Sequence, residues 1–289
     1  MNLVLENGLY TADLSPSHLD RILDIGCGPG DWAIQMGRRF PSSDITAIDI
    51  GPFDITPSCI PSNVHFLMDD AEEEWYYPSP FSYIHLRFMS GAFSDWSYIY
   101  RQAYRNLRPG GILEILDWDY DICNWPGVES QSFDYFSIFG QAVTTSASTS
   151  GYPRNTTHLS PPFTDLKSAG FKSITRQTIT LPIGQASAGD DPKQITIGKM
   201  ISIVLLEGVE AQSLRLLTKY GGWSAEGARE LCEKVRGELR SQVDSLFLRI
   251  PVVVAKKEDD DNEDDDNKVE EEEEERGEEK ANITEKEGK

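Results

Sequence analysis

Arg21-Ile-Leu-Asp-Ile-Gly-Cys-Gly-Pro-Gly30 is the stretch that decides the fold of this chain. Its apolar first half predicts a β-strand, and its second half predicts a turn with glycines at positions 26, 28 and 30. Glycines at the carboxyl end of a strand let the backbone come close to a ligand, because no side chain intervenes. A second predicted strand, Asp44–Asp49, also ends in a carboxylate. An acid at that place is suited to bind the two hydroxyls of a ribose, so the two strand ends predict a nucleoside-binding site.

The spacing of the glycines indicates which kind of nucleoside would bind. A dinucleotide-binding turn has the pattern G-x-G-x-x-G, which Gly26 and Gly28 begin but which Asp31 breaks at the sixth position. The chain instead has D-x-G-x-G-x-G, led by Asp24, which resembles motif I of the class I S-adenosylmethionine-dependent methyltransferases. The resemblance implies that the turn admits the methionine part of S-adenosylmethionine and that Asp49 binds its ribose. The alternative is a glycine turn that only joins a strand to a helix.

Strands and helices alternate along most of the chain, which is typical of a mostly parallel sheet. We therefore predict an α/β, doubly wound, Rossmann-like domain with a mostly parallel seven-stranded sheet and helices on both faces. Three prolines within residues 51–61 exclude a normal helix in the crossover after the second strand. The predicted strands span about residues 21–26, 44–49, 64–67, 83–87, 112–118, 171–181 and 246–255, the predicted helices about 31–40, 94–107, 133–143, 162–170, 193–219 and 224–244, and a loop about 146–162.

The candidate cofactor-binding residues lie outside the carboxyl ends of the strands, where ligands of open α/β sheets bind. After the third strand we favour Asp70 over Asp69, because Asp70 directly precedes Ala71. The acid would accept a proton from the adenine amino group, and Ala71 would supply a backbone N–H. In chain order the candidates are Asp24, Gly26, Cys27, Gly28, Gly30, Asp49, Ile50, Asp70, Ala71 and Leu86.

Two residues of the fourth predicted strand are candidates for catalysis. His85 lies within an apolar strand, where a histidine is either a catalytic base or a hydrogen-bonded core residue. Arg87, at the end of the strand, either orients a substrate carboxylate or pairs with Asp117 or Asp119. Methyl transfer from a sulfonium mainly requires that the acceptor is held in line, and a carboxylate acceptor needs no base. We therefore assign no catalytic base from the sequence.

The composition excludes several classes of protein. The four cysteines, at positions 27, 59, 123 and 232, form no C-x-x-C pair, so we expect neither a metal site nor a disulfide framework. No run of about 18 apolar residues predicts a membrane span. The N-terminus is too short and too acidic for a signal peptide. We therefore expect a cytoplasmic or nuclear protein without membrane attachment.

Negative charge is concentrated near the C-terminus. Residues 256–289 contain 18 acidic and 7 basic residues, so −11 of the net charge of −21 lies there and −10 lies in the first 255 residues. Such a segment cannot bury enough apolar surface to offset the entropy of ordering, so we predict a disordered acidic tail. The tail either meets a basic partner such as a histone or only keeps the protein in solution. Because the rest of the chain is also acidic, we expect no direct binding of nucleic acid.

Further motifs extend the resemblance beyond the glycine turn. They are Gly28–Ile34, Ile50–Pro61, Asn63–Phe66, Asp69–Trp75, Ile84–Arg87, Asp95-Trp96, Tyr100–Tyr104, Leu107–Gly111, Leu181–Gly184 and Gly222–Ser224. Together they resemble the fungal LaeA-like methyltransferases, in the wider trans-aconitate-methyltransferase-like group. The resemblance covers about residues 5–257 and implies a class I methyltransferase fold, binding of S-adenosylmethionine and a link to fungal secondary metabolism.

The resemblance also implies two kinds of role, and the chain departs from the family at two places. Some members act on small molecules, and others are nuclear regulators associated with velvet-type proteins. Members usually have a helical segment before the part that matches Leu5–Leu9, and this segment helps to cover the cofactor, so we expect a truncated or reduced lid here. Members often carry an aromatic residue after the Pro-Ile-Gly turn, where this chain has Gln185-Ala186.

We therefore expect an N-terminal segment (1–20), a methyltransferase domain (21–255) and the acidic tail (256–289). The expected function is S-adenosylmethionine-dependent methylation of a small molecule, such as a secondary metabolite or a carboxylate, or of a protein. The alternative is a LaeA-like nuclear regulator or scaffold of secondary metabolism, with a velvet-type partner, that binds the cofactor with little turnover. A nicotinamide-dependent dehydrogenase is disfavoured by Asp31.

Overall fold

The computed structural model describes residues 4–5, 8–124, 134–185, 188–242 and 246–259. Single turns of 3-10 helix lie at Pro16–His18, Pro57–Cys59 and Thr157–Leu159. The strands and α-helices follow in the order β1 (Arg21–Ile25), α1 (Asp31–Arg39), β2 (Asp44–Asp49), β3 (Val64–Met68), β4 (Phe81–Arg87), α2 (Trp96–Asn106), β5 (Leu107–Leu116), β6 (Asp119–Asn124), α3 (Asp134–Ser150), α4 (Thr164–Ala169), β7 (Ser173–Ile183), α5 (Pro192–Lys219), α6 (Ala225–Gln242) and β8 (Leu246–Lys256).

All the described strands belong to one sheet. In the spatial order β3-β2-β1-β4-β5 the strands are parallel, and β8 lies antiparallel to β5 on one edge and to β7 on the other. β6 pairs with the start of β8 on the edge that β5 also uses, so β5 and β6 form one long strand interrupted at Asp117 and Trp118. The predicted mostly parallel, doubly wound sheet is confirmed. Because this interruption divides one predicted strand into β5 and β6, the described part of the chain has eight strands where seven were predicted.

The strand, turn and helix from β1 to α1 are anchored by burial on both sides of the sheet. Ile22 and Leu23 of β1 are fully buried, as expected for a parallel strand that is covered on both faces. α1 begins directly after Gly30 and packs Trp32 and Met36 into the core beside β1 and β2. The glycine turn between them is therefore held at the carboxyl edge of the sheet.

Helices cover both faces of the sheet, as predicted. α1 packs on the face that carries Ile22 and Tyr83, while α2 and α4 pack on the face that carries Leu23 and Ile84. α5 and α6 form a third cluster over β7 and β8. The crossover from β2 to β3 has no α-helix, as its prolines predicted, and contains only the turn Pro57–Cys59.

α3 is longer than predicted and includes the first part of the expected loop over residues 146–162. The serine and threonine content of this part suggested a loop, but the hydroxyls bond within the helix. Ser146 Oγ donates to the Ala142 carbonyl at 2.7 Å, and Thr149 Oγ1 donates to the Thr145 carbonyl at 2.9 Å. Ala147 is fully buried, so packing selects the helix that local composition disfavours.

The described part of the N-terminal segment packs against the sheet. Glu114 of β5 is fully buried, and its carboxylate accepts the backbone N–H groups of Thr11 at 3.0 Å and Ala12 at 2.7 Å. Trp32 Nε1 donates to the Leu9 carbonyl at 2.8 Å. Residues 8–20 are therefore continuous with the core of the domain, whereas most of the predicted acidic tail, residues 260–289, lies outside the described residues. Within the described residues, no helix is long and apolar enough to span a membrane.

Candidate cofactor-binding site

The glycine turn is tied to β2 by backbone hydrogen bonds. The N–H groups of Gly26 and Cys27 donate to the Ile48 carbonyl at 2.9 and 3.0 Å. Gly26 and Gly28 have φ angles of 68° and 54°, in the left-handed region that favours glycine. A Cβ at Gly26 would overlap the sulfur of Met89, whereas a Cβ at Gly28 would meet no atom within 4 Å. Gly28 therefore presents its backbone to open space, where a ligand can approach.

Asp49 joins the end of β2 to the glycine turn. Its carboxylate accepts the N–H of Gly28 at 2.8 Å through Oδ2 and the N–H of Gly51 at 2.9 Å through Oδ1. Each carboxylate oxygen has a second lone pair, so both oxygens can accept a further hydrogen bond. The neighbouring Ile50 is 73% exposed and offers apolar surface beside this carboxylate. The structure thus brings Asp49, the residue predicted to bind the ribose, into direct contact with the predicted glycine turn.

Cys27 is part of this turn but is not a reactive thiol. The residue is 8% exposed. Burial raises the pKa of the Cys27 thiol well above its usual range, and the charges of Asp24 and Asp49 raise it further. The protonated thiol is a poor nucleophile, so Cys27 contributes its backbone and its bulk to the site.

After β3, Asp70 stabilises its own turn. Its Oδ1 accepts the N–H of Glu72 at 2.9 Å, and its backbone carbonyl accepts the N–H of Glu73 at 3.0 Å. Ala71 is 8% exposed, and its carbonyl accepts Trp75 Nε1 at 2.9 Å. This turn lies at the same carboxyl edge as Asp49, since Asp69 N–H donates to the Asp49 carbonyl at 3.1 Å. The predicted adenine-binding residues are therefore next to the predicted ribose-binding residue along the sheet edge.

His85 and Asp24 form a buried pair on neighbouring strands. His85 Nδ1 lies 2.8 Å from Asp24 Oδ1, and the two side chains are 1% and 3% exposed. The imidazole stacks on the Trp32 ring at 3.8 Å with an angle of 3° between the planes. His85 Nε2 and Asp24 Oδ2 have no hydrogen-bond partner in the described part of the chain. This enclosure favours the core interpretation of His85 over a role as catalytic base.

Leu86 and Arg87 point to opposite faces of the sheet. Leu86 is fully buried in the cluster beneath α2, so only its backbone can touch a ligand. Arg87 is half-buried on the face of His85 and Asp24. Among the described residues it forms no ion pair, and Asp119, a partner considered from the sequence, pairs with Arg249 at 3.2 Å.

Arg87 is thus a half-buried cation without an ion-pair partner in the described part of the chain. Burial lowers the pKa of its guanidinium, while the charges of Asp24 and Asp31 and the Tyr83 side chain favour the charged form. Arg87 directly follows the Ile25–Leu86 pair of β1 and β4, so it lies beside the start of the glycine turn. A carboxylate bound at that turn would lie near the guanidinium of Arg87.

Asp117 lies where the fifth strand is interrupted. The sequence indicated it only as a partner for Arg87, but its Oδ2 has no hydrogen-bond partner in the described part of the chain. The residue is fully buried, and Oδ1 accepts the N–H of Trp118 at 2.7 Å. Burial raises the pKa of Asp117 to about 7, against backbone hydrogen bonds from Trp118, Ser90 and Met89 that favour the charged form. Only the position of an acid at the end of an apolar strand could have singled it out.

We expect Asp117→Asn to flatten the pH dependence of stability. A carboxyl with a raised pKa stabilises the folded state below its unfolded pKa of 3.8, and that stability is lost as the pH rises through about 7. The difference between the folded and unfolded pKa values corresponds to about 4 kcal/mol in the free energy of unfolding. About 2 kcal/mol of this change falls between pH 5.5 and 8. Urea unfolding across that range, above the pI of about 4.5, measures the free energy of unfolding of both proteins. A variant with the slope of the wild type, or an equal change in the exposed-site control Asp54→Asn, would contradict the role of Asp117.

Comparison with the sequences of known proteins shows the family to which the chain is similar. A family model described as a methyltransferase domain matches residues 5–169. The methyltransferase pytC of Aspergillus terreus is 34% identical over 254 residues, which cover 86% of this chain and 75% of that protein. The secondary metabolism regulator laeA of Aspergillus fumigatus is 27% identical over 221 residues, which cover 75% of this chain and 57% of that protein.

Solved structures show weaker similarity. Phosphoethanolamine N-methyltransferase 2 from Haemonchus contortus, in complex with S-adenosyl-L-methionine, is 19% identical with a TM-score of 0.44. The match covers 83% of this chain and 49% of that chain. The family assignment rests on the sequence matches.

Proposed function

This chain belongs to the methyltransferase-domain family, and from this premise we propose that it binds S-adenosylmethionine across the carboxyl ends of β1, β2 and β3 and methylates a small-molecule acceptor. The observation that carries the proposal is the hydrogen bond between the Asp49 carboxylate and the Gly28 N–H, beside open space at Gly28. The acid is suited to bind the ribose of S-adenosylmethionine, and the glycine without a side chain at the adjacent strand end leaves room for the methionine part.

Asp49 and Ile50 would hold the nucleoside. The carboxylate of Asp49 accepts one backbone N–H at each oxygen, and the remaining lone pair of each oxygen would accept one of the two ribose hydroxyls. The exposed side chain of Ile50 would pack on one face of the adenine. Asp70 would accept the adenine amino proton through Oδ2, because its Oδ1 already bonds to the Glu72 N–H.

Arg87 and Asp24 would hold the amino-acid end of the cofactor. That end carries a carboxylate and an ammonium group. Arg87 has no ion-pair partner among the residues described, and the buried Oδ2 of Asp24 has no hydrogen-bond partner among them. Both residues belong to the strand ends that flank Gly26. A carboxylate at the half-buried Arg87 and an ammonium at the buried Asp24 would supply the partners that these two groups lack among the described residues.

When bound, S-adenosylmethionine supplies a methyl group on a positively charged sulfur, which is already activated for displacement. The protein has to exclude water, hold the acceptor atom in line with that methyl group and accept no proton if the acceptor is a carboxylate. We therefore assign His85 a structural role: its ring fixes Asp24 at 2.8 Å and stacks on Trp32, and 1% of it is exposed.

The alternative is a regulatory protein, which the similarity to the secondary metabolism regulator laeA supports. In that case the chain would act in fungal secondary metabolism, would carry its cofactor with little turnover and would work in the nucleus with a velvet-type partner. An enzyme of small-molecule metabolism would instead work in the cytoplasm. The similarity to the methyltransferase pytC, which is greater in identity and in coverage, favours the enzyme.

Turnover distinguishes the two functions. We expect the purified full chain, incubated with S-adenosylmethionine and a panel of small-molecule acceptors that includes carboxylic acids, to form S-adenosylhomocysteine continuously with at least one acceptor. Mass spectrometry would then find the acceptor heavier by one methyl group in place of a hydrogen. The background is the same reaction without acceptor. Stoichiometric binding of S-adenosylhomocysteine without turnover on any of these acceptors or on a nuclear protein extract would contradict the enzyme and favour the regulator.

A further inference from the structure

An apolar cavity of about 120 Å³ lies between α3, α5, α6 and the strands β6 and β8. An enclosed apolar cavity of roughly 150 Å³ holds a benzene molecule, so this smaller cavity, which is open to solvent on one side, is suited to a single ring. Val204, which is 49% exposed, lies on the lining and marks the side open to solvent. The other apolar lining side chains include Phe136, Phe139, Val143, Ile201, Leu205 and Val209.

The cavity is joined to the glycine turn through the segment that follows β4. Trp118 lines the cavity and stacks on Phe88, with ring centroids 4.5 Å apart and 15° between the planes. Phe88 has a φ of 61°, which is a strained conformation for a bulky residue. The next residue, Met89, packs against Gly26. Met89 therefore faces the cofactor turn, while Phe88 packs against Trp118, and it is Trp118 that lines the cavity.

A single cation on the cavity lining lacks a carboxylate partner in the described ranges. Arg154 lines the cavity, packs its side chain against Gly91 and donates through Nη1 to the Gln212 carbonyl at 3.0 Å. This bond uses one of the five N–H donors of a guanidinium. The acid on the lining, Asp119, already pairs with Arg249. In a protein with a net charge of −21, this arginine is a local site for an anion beside an apolar space.

We propose that this cavity is the acceptor pocket and that it takes a ring-bearing carboxylic acid, with the ring among α3 and α5 and the carboxylate on Arg154. The inference rests on the proposed function, because it needs a methyl donor at the glycine turn. Arg154 packs on Gly91, two residues after Met89, so the carboxylate would lie on the cofactor side of the ring. The substrate class follows from one apolar cavity and one cation that lacks a carboxylate partner within the described ranges.

Binding of two fluorinated probes tests the pocket. We expect 4-fluorobenzoate to bind the full chain, as followed by fluorine NMR, at least roughly tenfold more tightly than the neutral 4-fluorobenzamide, since the benzoate gains a charge-assisted contact. Arg154→Gln is expected to remove this preference and to leave the amide unchanged. Arg105→Gln, at an exposed position on α2, is the matched loss of charge and is expected to keep the preference.

A second variant locates the ring. Val204→Trp adds bulk at a half-exposed position, where folding is not at risk, and is expected to weaken both probes at least tenfold. An unchanged preference in Arg154→Gln, unchanged affinities in Val204→Trp, or no binding of either probe to the wild type would overturn the proposal. Titration with S-adenosylhomocysteine in the same samples tests the cofactor site separately. Probe binding in a protein that does not bind S-adenosylhomocysteine would contradict the proposed function and would overturn the role of the cavity as acceptor pocket.

Discussion

Asp49→Ala is expected to weaken the binding of S-adenosylhomocysteine by more than about 100-fold. The carboxylate would accept both ribose hydroxyls, and a hydrogen bond to a charged group contributes roughly 1.5–3 kcal/mol. Two such bonds amount to at least about 3 kcal/mol, which is more than about 100-fold in Kd. Asp49 also orients the backbone of Gly28 and Gly51, so its loss would loosen the turn before the ligand arrives. Calorimetric titration measures the effect.

Two further variants keep this result interpretable. Asp49→Asn preserves one acceptor oxygen and is expected to have an affinity between those of the wild type and Asp49→Ala. Asp54→Ala removes an exposed acid from the same crossover and is expected to bind as the wild type does. Circular dichroism of each protein confirms that the fold is intact. Wild-type affinity in folded Asp49→Ala would sink the assignment of the ribose to this residue.

Arg87→Met is expected to weaken the binding of S-adenosylhomocysteine about 30-fold and to leave its decarboxylated analogue unaffected. Methionine keeps much of the apolar stem but loses the charge. Arg87 is half-buried beside the glycine turn and, within the described residues, forms no ion pair, so the carboxylate of the ligand would be its partner. A charge-assisted contact of about 2 kcal/mol corresponds to the expected factor.

The decarboxylated analogue distinguishes a loss of carboxylate recognition from a general change in the structure of the site. It retains the adenosine, the sulfur and the amine, so a general loosening of the site would weaken both ligands alike. Arg101→Met, which removes a surface arginine 3.7 Å from Asp95, is the matched control and is expected to change neither affinity. Equal losses for the two ligands in Arg87→Met would show that the residue acts on the fold instead of on the carboxylate.

The sequence sufficed to predict which strand ends carry the site, because the signals there are local. Gly26 and Gly28 mark the turn, and Asp49 marks the end of the next strand. Parallel pairing of β1 with β2 then brings the two together without further information. The absence of an α-helix from the crossover between β2 and β3 could also be predicted, because the geometry of proline itself disfavours a helix.

The remaining features depend on contacts between distant residues, which no local pattern contains. His85 is enclosed by Asp24 and Trp32, so its role could not be decided from its strand. The interruption at Asp117 depends on where β8 pairs with β5 and β6. The cavity combines Trp118, Arg154 and side chains of α5, which only tertiary packing brings together.

The central claim is that the cofactor lies on Asp49 and the glycine turn. A crystal structure of the full chain grown with S-adenosylhomocysteine tests it most directly, through the distances between the ribose oxygens and the Asp49 carboxylate. The account predicts both ribose hydroxyls within about 3 Å of the two carboxylate oxygens, with the sulfur beside the Gly26–Gly28 turn. Electron density for the nucleoside at any other edge of the sheet, with Asp49 bonded only to Gly28 and Gly51, would contradict it.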